Sequence, residues 1–186
     1  MPAPERVAAP LAAVSFLTRL PLGRLGAPSG DALLRGAPLF PLVGAALGAV
    51  VGLAAVGLAE ALPPLLAGLL AVALEVVLTG ALHVDGLADS ADGLGGRDRE
   101  SSLAIMRDHS LGAYGASALA LDLAIKATAI GALAEADAWG PIVAAFALSR
   151  AAPLPLALLP YAREDDGTGR VLAGRLAIKG AVAGVG

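Results

Sequence analysis

Four apolar runs, set apart by polar or proline-bearing breaks, organise the chain. Gly36 to Ala59 is a stretch of 24 uncharged residues between Arg35 and Glu60, and about 20 such residues cross a bilayer as a helix. Pro38 and Pro41 lie in its first turns, where proline is tolerated. Pro63-Pro64 opens a second run to Leu82, broken only by Glu75, and a polar segment follows from His83 to His109. The third run, Ser110 to Ala134, carries Asp122 and Lys126; the fourth, Trp139 to Tyr161, carries Arg150 and several prolines. This pattern predicts an all-α, polytopic membrane helix bundle. It comprises about four spans (36–59, 62–82, 110–134, 139–161) and a cytoplasmic loop over about 83–109, within one membrane domain, 1–186. Val7 to Leu20 is apolar but short, so it is expected in the interface or re-entering the bundle. The tail from Arg163 is polar, turns apolar at Ala181 and stops. That ending reads as the entry to a further span, so a C-terminally truncated chain is expected.

Composition strengthens the membrane reading. Of 186 residues, 57% are hydrophobic and only 16% charged, against roughly 25% charged in soluble domains. Too few charges remain to coat a soluble surface. Cysteine is absent, which excludes disulfides, thiolate metal sites and thiol nucleophiles. The lipid bilayer is an expected partner and nucleic acid is not.

Charge placement orients the spans. Arg6, Arg19, Arg24 and Arg35 precede the first, and Arg97, Arg99 and Arg107 fall in the central loop. Arg163, Arg170, Arg175 and Lys179 fall in the tail, whereas the connections around Glu60 and around Glu135 and Asp137 contain no base. By the positive-inside rule, the N-terminus, central loop and tail are cytoplasmic.

The polar segment carries the candidate chemistry. Asp85, Asp89 and Asp92 stand at i, i+4 and i+7, within about 60° of one another around a helix. Carboxylates so close repel unless a cation intervenes, and hard divalent ions take oxygen ligands. Gly86 and Gly93, with Ser90, flank this face and would let a phosphate group or another helix approach. A metal held at a membrane surface suits a pyrophosphate substrate. A solvated helix face is the plainer alternative. Arg107 and Asp108 end the same segment: the arginine offers a planar fork to phosphate, or anchors the next span. His83 would point away from the aspartates on an unbroken helix and reads as structural. Within the spans, charges are costly unless paired or near water. Asp122 and Lys126 can neutralise one another at i, i+4, while Lys126 and Arg150 can line a path for an anionic substrate. Gly44, Gly48 and Gly52 repeat at every fourth position and suggest a tight helix contact.

These residues also carry a resemblance. The chain resembles the cobalamin-5′-phosphate synthase (adenosylcobinamide-GDP ribazoletransferase) family over nearly its whole length. The likeness rests on the stretches Ser15 to Pro21, Phe40 to Gly44, His83 to Gly93 and Ile105 to Asp108, then on Leu111-Gly112, Lys126, Ser149-Arg150 and Tyr161 to Glu164. Family members continue through further spans with a Gly-Thr-Gly-Asp-like motif that this sequence lacks.

The resemblance implies a Mg²⁺-dependent enzyme of the bacterial inner membrane, multi-pass, with its catalytic face cytoplasmic. It would join adenosylcobinamide-GDP to α-ribazole or its 5′-phosphate and release GMP. Asp85, Asp89 and Asp92 would hold the metal, and one of them or Asp108 would take the proton. Arg107, Lys126, Arg150 and Arg163 would bind substrate. A homo-oligomer is compatible with this reading. The rivals are other membrane metal–pyrophosphate enzymes, a transporter and a corrinoid-binding scaffold. Among the enzymes, the CDP-alcohol phosphotransferases need an Ala-Arg that is missing after Asp85-Gly86, and the prenyltransferases normally begin with Asn-Asp. A transporter leaves the aspartates unexplained.

Overall fold

The computed structural model describes residues 5–20, 22, 29–108 and 110–157. Among them regular structure is entirely helical, in nine α-helices and a 3₁₀ turn. They are α1 (Glu5–Leu17), α2 (Gly30–Gly36), the turn Ala37–Leu39, α3 (Phe40–Ala59), α4 (Pro64–Thr79), α5 (Leu82–Gly93), α6 (Arg99–Ile105), α7 (Ala113–Glu135), α8 (Trp139–Ala151) and α9 (Pro153–Leu156). Their contacts divide into two compact units, one of Ala49–Ile142 and one of the residues on either side.

In the flanking unit, α1 packs on α2 and the start of α3. Ala12, Ala13, Leu17, Leu33 and Phe40 are buried together, and the Phe16 and Phe40 rings stack with centroids 5.5 Å apart. A Cβ on Gly36 would run into the Ala9 carbonyl, so glycine is what lets α1 and α2 close. The expected interfacial segment is therefore a helix with its apolar face covered by protein. Ser29 caps α2, its hydroxyl accepting a hydrogen bond from Ala32 N at 3.2 Å. From there helix runs through the 3₁₀ turn to Ala59. These 30 residues are long and apolar enough to cross a membrane. The run begins before the expected Gly36, because the exposed Asp31 and Arg35 sit in its first turns rather than ahead of them.

In the central unit, α4 lies against α7. Ala67, Ala71 and Ala127 are fully buried. A Cβ on Gly68 would meet the Ala127 carbonyl, and one on Gly131 the Pro64 carbonyl. The helices touch backbone to backbone, as small residues permit in lipid. The sequence pattern pointed instead to α3. There, Gly44 does approach the Phe146 carbonyl within the flanking unit, and Gly52 approaches Trp139 and Ile142 within the central one.

α7, with 23 residues, is the second helix that is long and apolar enough to span, in agreement with the expected 110–134. The expected span 62–82 is shortened. α4 ends at Gly80, which is left-handed (φ 62°) and followed by a left-handed Ala81 (φ 60°). α5 then departs at 93°. The sixteen residues of α4 rise about 24 Å, so α4 and α5 together form one broken span or a re-entrant element. The expected fourth span, 139–161, is described only in part. α8 has 13 residues, a rise of about 20 Å against a hydrocarbon core of about 30 Å. Pro153 removes a helix donor there, and the chain restarts as the four-residue α9. Residues 158–161 lie outside the described part. Among the described residues, two helices are long and apolar enough to cross a membrane, or three if α4 and α5 form one span.

Candidate active site at the α4–α5 break

The break at Gly80-Ala81 places a polar helix immediately behind an apolar one. A left-handed alanine costs on the order of 1–3 kcal/mol and is held only where surrounding structure demands it. Its effect is to turn α5, and the aspartates on it, sharply away from the axis of α4.

α5 is helical from Leu82 to Gly93, so the three aspartates do share one helix. Their environments differ. Asp85 is exposed and Asp89 half-buried. They are one turn apart, with Gly86 between them, and a Cβ on Gly86 would meet nothing within 4 Å. The expected glycine opening is present here. It is absent at Gly93, where a Cβ would press on the Met106 side chain, 2.8 Å from Cγ. Ser90 Oγ donates to the Gly86 carbonyl at 2.6 Å and stays on its own helix. His83 is half-buried in the first turn.

Asp92 is engaged elsewhere. Its Oδ2 accepts from Gly112 N and its Oδ1 from Gly115 N, both at 2.8 Å. Gly112 is the N-cap residue of α7 and has no side chain to cap with, so the carboxylate that satisfies the helix start comes from α5. Nothing in local sequence signals this, since the partners lie 20 and 23 residues along the chain.

α6 follows α5 in the chain and packs against it. Asp98 and Ser101 form a reciprocal capping box: Asp98 Oδ1 accepts from Ser101 N at 2.8 Å, and Ser101 Oγ accepts from Asp98 N at 3.1 Å. The Ser101 backbone bond, then its hydroxyl, hold the Asp98 carboxyl below its ordinary range. After Met106, Arg107 and Asp108 are both exposed. Asp108 Oδ1 accepts from Ser110 N at 3.1 Å and Ser110 Oγ at 3.0 Å, closing a turn.

Three expected substrate-binding residues remain, Lys126, Arg150 and Arg163. Lys126 Nζ lies 3.0 Å from Asp122 Oδ2 and 3.9 Å from Glu75 Oε2. The i, i+4 pair is as expected; the buried Glu75 on α4 is a third member that sequence spacing did not connect. Arg150, in the flanking unit, is buried, with Nη1 2.7 Å from Ser149 Oγ and its guanidinium 4.7 Å from the centre of the Phe146 ring. Both cations are thus held by protein groups. Arg163 lies outside the described residues.

No three histidine, aspartate or glutamate side chains are gathered as a metal-binding group among the described residues. Of the three expected carboxylates, Asp92 is engaged by the α7 amides, while Asp85 and Asp89 flank the open Gly86 as a pair. Such a pair still suits Mg²⁺, which commonly takes one or two carboxylates and completes its shell with water and substrate phosphate oxygens.

A helical membrane protein with an exposed and a half-buried carboxylate, Asp85 and Asp89, behind the break between α4 and α5 defines the class. Comparison of sequences then places the chain in the family described as Cobalamin-5-phosphate synthase, whose pattern matches residues 9–185; the chain belongs to this family. Three relatives named Adenosylcobinamide-GDP ribazoletransferase illustrate the similarity. That of Rhizobium johnstonii is 43% identical over 155 residues, covering 76% of this chain and 55% of the relative. That of Syntrophobacter fumaroxidans is 43% identical, covering 85% and 65%. That of Pseudomonas paraeruginosa is 44% identical, covering 89% and 68%. The chain thus spans little more than half to two thirds of their length. No solved structure matches it.

Proposed function

We propose that this chain takes part in Mg²⁺-dependent transfer of the adenosylcobinamide phosphate group from adenosylcobinamide-GDP to α-ribazole or its 5′-phosphate, with release of GMP. The observation that carries the reading is the pair Asp85 and Asp89, one exposed and one half-buried beside the open Gly86. The name carried by the relatives supports the substrates.

Asp85 and Asp89 would hold the metal. Bound there, Mg²⁺ would draw the pyrophosphate oxygens together and offset the charge that develops on departing GMP. Arg107 would offer its fork to a phosphate, with Arg163 as a further candidate. Asp108 would accept the proton of a ribose hydroxyl that is free in both α-ribazole and its 5′-phosphate, as that oxygen forms its bond to the phosphorus on the cobinamide side. The bond from that phosphorus to the GMP oxygen breaks, and GMP leaves with the electron pair. Such reactions ask a protein chiefly for positioning and charge neutralisation.

The test uses membranes containing the full product of the gene. Given adenosylcobinamide-GDP, α-ribazole and Mg²⁺, they should release one GMP per corrinoid joined, and chelation of the metal should stop release. Corrinoid flux without GMP would indicate a transporter; corrinoid binding without either would indicate a scaffold. Both results would reject the proposal.

We also place this face in the cytoplasm, on the alternation of basic and base-free connections. The absence of native cysteine makes labelling straightforward. Cysteines at exposed Glu60 and Ala136 should react from outside intact cells, and one at Arg99 should not. Ala136 is preferred to Asp137, whose φ of 54° would strain a substitution. External reaction at Arg99 would overturn the orientation.

A further inference from the structure

The geometry assigns Asp92 as a positioning residue that fixes the α5–α7 corner, distinct in role from the neighbouring Asp85 and Asp89. The catalytic half of this assignment rests on the transfer reading above; the structural half stands without it. In an ordinary capping box, the N-cap side chain serves the third helical N–H and a second side chain returns to the N-cap N–H. Here one carboxylate makes both bonds. Gly115 is the third residue of α7 and Gly112 its N-cap, and each donates to a different oxygen of Asp92 at 2.8 Å. A negative group at this position also complements the helix dipole. Both partners are glycines for a spatial reason: a Cβ on either would run into the Asp92 carboxylate. The φ of Gly112, −88°, is open to any residue, so its requirement is close approach and not backbone freedom.

The tie has a consequence for Arg107 and Asp108. The segment between α5 and α7 is clamped at two points. Gly93, next to Asp92, receives the Met106 side chain, and Asp92 itself receives the first turn of α7. Arg107 and Asp108 lie between these clamps, and Asp108 closes its turn onto Ser110 just ahead of Gly112. Asp92 therefore holds the arginine-bearing segment against the helix that carries Asp85 and Asp89. A ligand role would need the same oxygens that the α7 amides occupy.

The test compares Asp92→Asn, Asp89→Asn, Gly115→Ala and the pair Asp92→Ala with Gly112→Asp, all in the full membrane-embedded product of the gene. Asp92→Asn and Gly115→Ala should each lower kcat by about 10-fold, from loss of a helix cap, while the Mg²⁺ concentration for half-maximal rate stays within about twofold of wild type. Asp89→Asn should raise that concentration at least about tenfold. The double variant supplies α7 with a cap of its own and frees the space at 112, so it should recover most of the lost kcat. In detergent, trypsin should cut at Arg107 several-fold faster in Asp92→Asn than in wild type. A shift in Mg²⁺ dependence for Asp92→Asn like that of Asp89→Asn, or a double variant no better than Asp92→Asn, would overturn the assignment. Unchanged cleavage at Arg107 would also overturn it. A wild-type protein that releases no GMP would reject the transfer reading alone, because the cleavage comparison would still decide whether Asp92 holds the corner.

Discussion

Asp85→Asn and Asp89→Asn should each cut GMP release by about 10²-fold or more, the scale at which a main electrostatic stabiliser is lost. Asparagine keeps the shape of aspartate and one carbonyl oxygen but not the charge, and Mg²⁺ favours charged oxygen ligands. Folding should survive both changes. Asp85 is exposed and Asp89 only half-buried, and each substitution also relieves repulsion between neighbouring carboxylates one helical turn apart. Raised Mg²⁺ should recover part of the lost rate. It should not do so for Asp108→Asn, where the missing function is proton acceptance. The measurement is initial GMP release against Mg²⁺ concentration, normalised to inserted protein. Near-normal rates in both variants would make Asp85 and Asp89 a solvated helix face.

The second large effect concerns the charged cluster between α4 and α7. Lys126→Met removes the ammonium that lies 3.0 Å from Asp122 and 3.9 Å from Glu75, between two apolar helices. Removing one partner of a buried ion pair costs about 3–5 kcal/mol; with Glu75 6% exposed but Asp122 26% and Lys126 33%, the cost is expected toward the low end of that range. Inserted, protease-resistant protein should therefore fall sharply. The order of rescue follows from the two distances. Adding Asp122→Asn, which removes the partner at 3.0 Å, should restore part of the loss. Adding Glu75→Gln as well should restore most of it, because both carboxylates that met Lys126 are then neutral; non-additivity of this kind is the signature of a shared interaction. If Lys126→Met inserts normally, the cluster does not hold α4 to α7. A variant that inserts normally yet loses turnover would return Lys126 to the substrate-binding role suggested by its place in the sequence.

How much of this was legible in the sequence depended on the range of the interaction. The helical phase of Asp85 and Asp89 could be read from spacing alone, because an α-helix fixes angles between residues a turn apart. The same held for the Asp122–Lys126 pair. Gly68 and Gly131 could not be singled out in a chain with 24 glycines. What distinguishes them is a carbonyl on another helix, at Ala127 and Pro64. Asp92 shows the limit most clearly. By spacing it is the third member of a carboxylate face; in three dimensions its oxygens belong to α7.

The sequence by itself determined that the protein is helical and membrane-bound, since 57% hydrophobic residues with 16% charge admit little else. It also determined where the polar chemistry lies, because charged residues in a lipid-facing chain collect at span ends. Tertiary structure decided where the spans break. Two consecutive left-handed residues at Gly80-Ala81 turn an apparently continuous run through 93°. No hydropathy pattern contains that turn, because an apolar residue reads alike on either side of it. Tertiary structure likewise decided which carboxylate accepts from distant backbone amides. A carboxylate's role follows from the donors that reach it, and the amides that reach Asp92 come from residues 20 and 23 positions away.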